Sequence, residues 1–159
     1  MKVLIVSDTH RQLGNLRTVL ETEKPIDMLI HLGDVEGQEQ QIREMADCHT
    51  EIIAGNNDFF SALEREKDIW IGRYRVLLTH GHYYKVSLGT ELLASDAAAR
   101  NFQIALFGHT HRPLVECANG VWIANPGSLS YPRQDGRRPS YLILDLDRRG
   151  QANFTIKYL

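Results

Sequence analysis

The chain has 159 residues, of which 43% are hydrophobic and 24% charged, with a formal net charge of −2. A chain of this length buries roughly 69% of its unfolded surface on folding, so one core forms without disulfides or a structural metal, and a wholly disordered chain is excluded. Its 18 Lys and Arg against 20 Asp and Glu leave no basic footprint for stable nucleic-acid binding, although a small phosphate-bearing substrate depends only on local charge. Cys48 and Cys117 are far apart and form no C-x-x-C pair, which fits a reducing compartment. The apolar run Val3–Val6 stops at Ser7-Asp8, too short for a signal-peptide core, and no stretch approaches a membrane span. A cytoplasmic protein with no membrane partner is expected.

Val3 to Val6 is a β-branched run that reads as a buried strand. Leu13, Leu16, Val19 and Leu20 follow at helical spacing, and Lys24-Pro25 ends that helix. Met28 to Leu32 reads as a second strand. Ile42, Met45 and Ala46 mark a second helix, and Ile52 to Ala54 a short third strand. Ile69 to Ile71 and Arg75 to Thr79 flank Gly72-Arg73 as a hairpin. Thr90 to Arg100 is helical in composition, and Ile104 to Phe107 is another buried strand. Leu114 to Cys117 and Val121 to Ala124 flank Asn119-Gly120, a two-residue hairpin turn, and Tyr141 to Leu146 and Asn153 to Tyr158 flank Arg149-Gly150. No repeat or linker interrupts the pattern, so residues 1–159 are read as one α/β domain: two sheets packed together with helices outside.

Five polar clusters each follow an apolar run directly: Ser7-Asp8-Thr9-His10, Gly33-Asp34, Gly55-Asn56-Asn57-Asp58, Thr79-His80-Gly81-His82 and Gly108-His109-Thr110-His111. In α/β sheets, functional groups gather beyond the carboxyl ends of strands. Taken singly, a strand-end His is usually a hydrogen-bonded structural residue; five clusters in one position point instead to a common site. Asp carboxylates, an Asn carbonyl and His nitrogens are harder than the thiolate sites that zinc and copper(I) favour, and suit Mn²⁺, Fe or Zn²⁺. Two such cations, about 3.5–4 Å apart, would share a carboxylate and a hydroxide nucleophile and clamp a phosphoryl group. With Asp8 and Asp34 they would leave a local charge of about +1, attractive to a phosphate ester.

The ordered set D-x-H, G-D, G-N-x-D, H-G-H, G-H-x-H resembles that of the calcineurin-like metallophosphoesterases, and most closely their small single-domain YfcE-type phosphodiesterase branch. The resemblance runs from Asp8 through Asn125-Pro126-Gly127-Ser128 and the strands beyond. It implies a four-layer α-β-β-α sandwich with two mixed β-sheets flanked by helices. It implies two divalent metal ions, Mn most readily and otherwise Fe, Zn or Ni. Asp8, His10 and His111 would bind one metal, Asp34 would bridge, and Asn56, His80 and His109 would bind the second. The implied activity is a phosphodiesterase on small-molecule phosphate esters. A homo-oligomer is compatible with the resemblance. The alternative is a non-catalytic scaffold on the same fold, for which the retromer subunit is the precedent; the complete set of seven donors favours the enzyme. A nuclease subunit ranks lower, because no basic groove is visible.

One position departs from much of the superfamily, which carries His after the ligand Asn; here it is Asn57. An amide donates a hydrogen bond to phosphate but is no general acid near neutral pH, so esters with good leaving groups are expected. Asn57, His82 and Asp58 are the catalytic candidates, and Asn57, His82 and Arg133 the substrate-binding ones. Asp58 could equally serve a turn, and His82 could serve the loop. His31 is expected to be buried and hydrogen-bonded, and His49 to lie at the surface. Arg133, Arg137 and Arg138 form a basic cluster, with Arg137 and Arg138 expected in solvent. Tyr83, Tyr84 and Tyr131 lie beside the site loops, where packing is the expected role.

Overall fold

The Val3–Val6 run works because its side chains alternate between two apolar surfaces. Val3 and Ile5 face one cluster, and Leu4 and Val6 face another. A strand apolar on both faces must lie between two layers, and this requirement organises the molecule. The computed structural model describes residues 1–159. In chain order the elements are β1 (Lys2–Val6), α1 (Gly14–Glu23), β2 (Met28–His31), α2 (Glu39–Ala46), β3 (His49–Ile52), β4 (Glu66–Ile71), β5 (Tyr74–Thr79), α3 (Glu91–Ala99), β6 (Ile104–Leu106), β7 (Pro113–Ala118), β8 (Val121–Pro126), β9 (Ser140–Leu146) and β10 (Ala152–Tyr158). One three-residue 3-10 turn, His82–Tyr84, follows β5.

The strands form two five-stranded sheets, in orders β10-β9-β1-β2-β3 and β4-β5-β6-β8-β7. Each sheet is mixed: β1, β2 and β3 run parallel, as do β5, β6 and β8, and the remaining neighbours are antiparallel. The sheets pack face to face through Val3, Ile5, Ile30, Val76, Leu78, Ile104 and Leu142. On the outside of the first sheet, Leu16, Val19 and Leu20 of α1 and Ile42 of α2 meet Leu4, Leu29 and Ile143. On the outside of the second, Leu93, Ala94 and Ala97 of α3 meet Leu77, Ala105 and Ile123. This is the α-β-β-α sandwich expected from the sequence.

The third strand differs from its expectation. It spans His49–Ile52 and not Ile52–Ala54, because pairing with β2 sets its register from Met28 opposite His49 to His31 opposite Ile52. It is an edge strand, so Thr50 and Glu51 are tolerated where a buried run was sought. The Asn119-Gly120 turn has positive φ at both residues, 52° and 75°, as a type I′ hairpin requires. Both cysteines are free. No helix is long and apolar enough to cross a membrane.

One buried charge cluster ties α1 to the first sheet. Glu23 accepts hydrogen bonds from Lys2 Nζ (2.7 Å), Lys157 Nζ (2.8 Å) and Tyr141 Oη (2.7 Å). Burial alone would raise its pKa, but these three donors outweigh burial and hold it down at about 2. Because the folded value lies below the unfolded one, the stabilisation is complete above pH ~4.5 and fades as pH falls towards 2. Glu23→Gln should therefore lower unfolding free energy by about 1–3 kcal/mol at pH 7. In urea titrations the gap from the parent should close below pH ~4.5; a gap independent of pH would contradict this account.

Candidate metal centre

The six parallel strands, β1, β2, β3, β5, β6 and β8, each end in one of the polar loops at a common rim. Asp8 follows β1, Asp34 follows β2, Asn56 follows β3, His80 follows β5, and His109 and His111 follow β6. The sheet interface brings these loops within reach of one another. His80 Nε2 lies 3.6 Å from Asp34 Oδ2 and 3.9 Å from Asp8 Oδ1. His10 Nε2 lies 3.8 Å from Asp8 Oδ1, 3.7 Å from Asp34 Oδ2 and 3.4 Å from His111 Nε2. Asn56 Oδ1 sits 3.0 Å from His80 Nε2 and 2.9 Å from His109 Nδ1. Asp8, His10 and His111 form one group able to hold a cation, and Asp8, Asp34 and His80 form an overlapping one. All seven residues singled out as donors from the sequence are thus brought together.

The ring nitrogens show what the cluster suits. His80 Nδ1 is 2.6 Å from the Leu32 carbonyl, and His111 Nδ1 is 2.7 Å from the Tyr131 carbonyl. A carbonyl only accepts, so both Nδ1 atoms carry the proton, and in the neutral rings both Nε2 atoms are bare lone pairs. The His111 lone pair faces Asp8 Oδ1 at 3.0 Å, and that buried oxygen has no hydrogen-bond partner. The His80 lone pair faces Asn56 Oδ1, another acceptor. Acceptors aimed at acceptors in a buried site are costly unless a cation lies among them. The donor set therefore fits divalent metal ions. Strain tells the same story: Asp8, His10, Asp34, His109 and His111 all have positive φ, between 44° and 67°, at a cost on the order of 1 kcal/mol each.

Surrounding residues hold the donors still. Asp58 Oδ2 accepts the backbone N–H of Asp34 (2.7 Å) and of Gly55 (2.7 Å), and its Oδ1 accepts that of Glu36 (2.6 Å). Both its oxygens face backbone, so this residue, expected among the catalytic groups, acts here by fixing the Asp34 loop. Asn57 donates from its backbone N–H to Asp34 Oδ1 (2.9 Å) and from Nδ2 to Asp34 Oδ2 (2.7 Å). Its amide thus faces the carboxylate and not the open side where a phosphate would enter. A Cβ on Gly55 would fall onto Asp34 Oδ1, and one on Gly108 onto Ser7 Oγ, so the two loops can approach only with glycine there. His31 donates to Thr9 Oγ1 (3.0 Å) and stays neutral, because burial lowers its pKa to about 4.

Several contributors carried no local sequence signal. Glu36 Oε1 sits 2.7 Å from His10 Nδ1 and orients that ring. Ser128 Oγ donates to the Asp8 carbonyl and Ser130 Oγ to the Thr9 carbonyl, each at 2.8 Å. Asn125 Nδ2 donates to the Gly108 carbonyl at 2.8 Å. The end of β8 and the loop after it thus clamp the loops after β6 and β1. The one available signal was its own polar run, Asn125-Pro126-Gly127-Ser128, directly after an apolar strand.

Of the remaining candidates, some line the rim and others lie away from it. His82 is half-buried, with its ring centroid 5.5 Å from that of His80, and Tyr83 packs on it at 4.1 Å. Burial, reinforced by the neighbouring His80 and His109 rings, lowers the His82 pKa to about 4. Arg133 lines a hollow of about 760 Å³ that also touches His10 and His111, and Arg137 lines it too. Arg138 instead donates to the Leu159 carbonyl. Tyr131 packs edge-on against His10, whereas the Tyr84 hydroxyl lies between the Glu66 and Asp96 carboxylates, at 2.6 and 2.9 Å, away from the cluster. His49 is exposed and pairs with Glu51.

Burial opposes a charge on Asp8, yet His111 and His80 outweigh it and hold its pKa at about 2. Burial likewise opposes a proton on His111, but Asp8 dominates and raises its pKa. A proton therefore competes with a cation for the His111 nitrogen, and metal binding must displace it. Mn²⁺ affinity measured by calorimetry should rise from pH 5.5 to 7.5, within about one unit of the ordinary imidazole pKa, with protons released on binding. Affinity flat with pH would contradict this geometry.

A family model described as the calcineurin-like phosphoesterase superfamily domain matches residues 1–149. The chain is 32% identical over 148 residues to the "probable metallophosphoesterase YsnB" of Bacillus subtilis, covering 92% of this chain and 85% of that protein. It is 30% identical over 173 residues to phosphodiesterase YfcE of Escherichia coli, covering 92% and 89%. Its fold superposes on Vps29 from Entamoeba histolytica with a TM-score of 0.80 at 22% identity, covering 100% and 99%. The chain belongs to the calcineurin-like phosphoesterase superfamily, and within it to the metal-dependent phosphoric ester hydrolases.

Proposed function

We propose that the chain is a cytoplasmic phosphodiesterase that hydrolyses small-molecule phosphate esters with two divalent metal ions. Asp8, His10 and His111 would hold one metal and Asn56, His80 and His109 the other, with Asp34 available to both. The observation that carries this reading is the buried Asp8 Oδ1 without a partner, facing the bare nitrogen of His111. The donors are hard to intermediate, which suits Mn²⁺ first and Fe, Zn²⁺ or Ni²⁺ otherwise. When bound, such a pair supplies Lewis acidity towards phosphoryl oxygens and a water acidic enough to attack at neutral pH.

The chain's own residues supply position and charge. Asn57 and Asp58 fix the Asp34 carboxylate and its loop, so little reorganisation accompanies the reaction. Leu32 and Tyr131 carbonyls lock the tautomers of His80 and His111. His82 and Arg133 border the open side and contact the ester. Asn57 offers no acidic proton, which supports a preference for good leaving groups. The likeness to YfcE supports diesters as substrates, and the free cysteines fit a reducing cytoplasm. The likeness to Vps29 is the ground for a second reading, a protein-interaction scaffold. The complete donor set favours the enzyme.

Metal-stripped protein should hydrolyse an activated aryl phosphodiester only after Mn²⁺ is restored. His80→Ala should lower kcat/KM more than about 100-fold with the fold intact by circular dichroism. No turnover with Mn²⁺, Ni²⁺ or Zn²⁺, despite measured metal binding, would move the assignment to the scaffold.

A further inference from the structure

We propose that the hollow beside the donor cluster is a subsite for a second phosphate group on the substrate, held by Arg112, Arg133 and Arg137. The proposal rests on the phosphodiesterase reading for where the scissile phosphate lies. The hollow measures about 760 Å³ and opens on His10 and His111. Ligand pockets run from about 300 to 1,000 Å³, so it has room for more than one phosphoryl group.

Arg112, Arg133 and Arg137 all line this hollow, and none of their side chains has a hydrogen-bond or ion-pair partner. The arginine–carboxylate pairs of the chain are made by Arg11, Arg75 and Arg100. Glu36 is the single acid lining the hollow, and it is taken by His10 at 2.7 Å and Arg11 at 3.4 Å. Three residues of like charge therefore border one hollow without a counter-ion, on a chain whose net charge is −2. Such convergence is unfavourable alone and becomes favourable with a dianion among them. Guanidinium groups bind phosphate through paired N–H donors, and these three side chains have theirs free.

The backbone ties the arginines to the donor cluster. The Arg133 N–H donates to the His111 carbonyl at 3.0 Å, and His111 Nδ1 donates to the Tyr131 carbonyl. Arg112 follows His111 directly. Arg137 sits in a left-handed conformation, φ 44°, its N–H bonded to the Gln134 carbonyl at 3.0 Å. Arg112 and Arg133 also line a second hollow, of about 670 Å³, so the body of a larger substrate can pass between the two.

The test is calorimetric titration of the Mn²⁺-loaded protein, with free Mn²⁺ buffered, using hydroxypropyl phosphate and propanediol bisphosphate. The bisphosphate should bind about tenfold tighter or more. In Arg112→Gln/Arg137→Gln that advantage should fall to about twofold, the statistical value for two equivalent phosphates at one site. Equal affinity of the two compounds for the parent protein would overturn the subsite. So would a variant that weakens both compounds by the same factor, because the arginines would then serve only the scissile phosphate. A bisphosphate preference in a protein that hydrolyses no diester would leave the subsite standing and remove the phosphodiesterase reading.

Discussion

A buried carboxylate oxygen of Asp8 and the bare ring nitrogens of His111 and His80 face one another with no protons to spare, and the rest of the architecture holds them in that opposition. Left alone, the arrangement is costly, since acceptors out of water need donors or a cation. The protein does not relax it. Carbonyls of Leu32 and Tyr131 fix the rings from behind, and Asn57 and Asp58 fix Asp34 and its loop. Five of the donors accept left-handed backbone to keep their place. Strain and unmet acceptors concentrated at one spot are the mark of a site shaped for a bound charge.

The fold makes that opposition available. Each sheet contributes three parallel strands whose carboxyl ends reach the same rim. The first sheet supplies carboxylates and the Asn, together with His10, and the second supplies the remaining imidazoles. The apolar interface of Ile5, Ile30, Leu78 and Leu106 therefore does more than stabilise; it sets the distance between the two halves of the donor set. Glycine at 55 and 108 allows the final approach, where any side chain would strike Asp34 or Ser7.

Much of this was legible in the residues. Apolar runs placed most strands, and polar clusters after them marked the loops of a common site, because both signals are local; which seven residues serve as donors is implied by the family resemblance. The third strand was misplaced because its edge position tolerates Thr50 and Glu51. The roles of Ser128, Ser130 and Asn125 were hidden because they depend on contacts with loops far away in sequence. Asp58 reads equally as a catalytic or a turn residue, since no spacing reveals that its oxygens accept from backbone N–H groups. Arg137 reads as a solvated loop residue; only the folded structure shows it sharing a hollow with Arg112 and Arg133.

The central claim is that one chain holds two coupled metal ions across Asp34. Electron paramagnetic resonance of the Mn²⁺-titrated protein tests it most directly. The account predicts two Mn²⁺ per chain and an exchange-coupled spectrum, as expected for ions about 3.5–4 Å apart, with coupling lost in Asp34→Asn. A single equivalent of Mn²⁺ with an isolated-ion spectrum would contradict it.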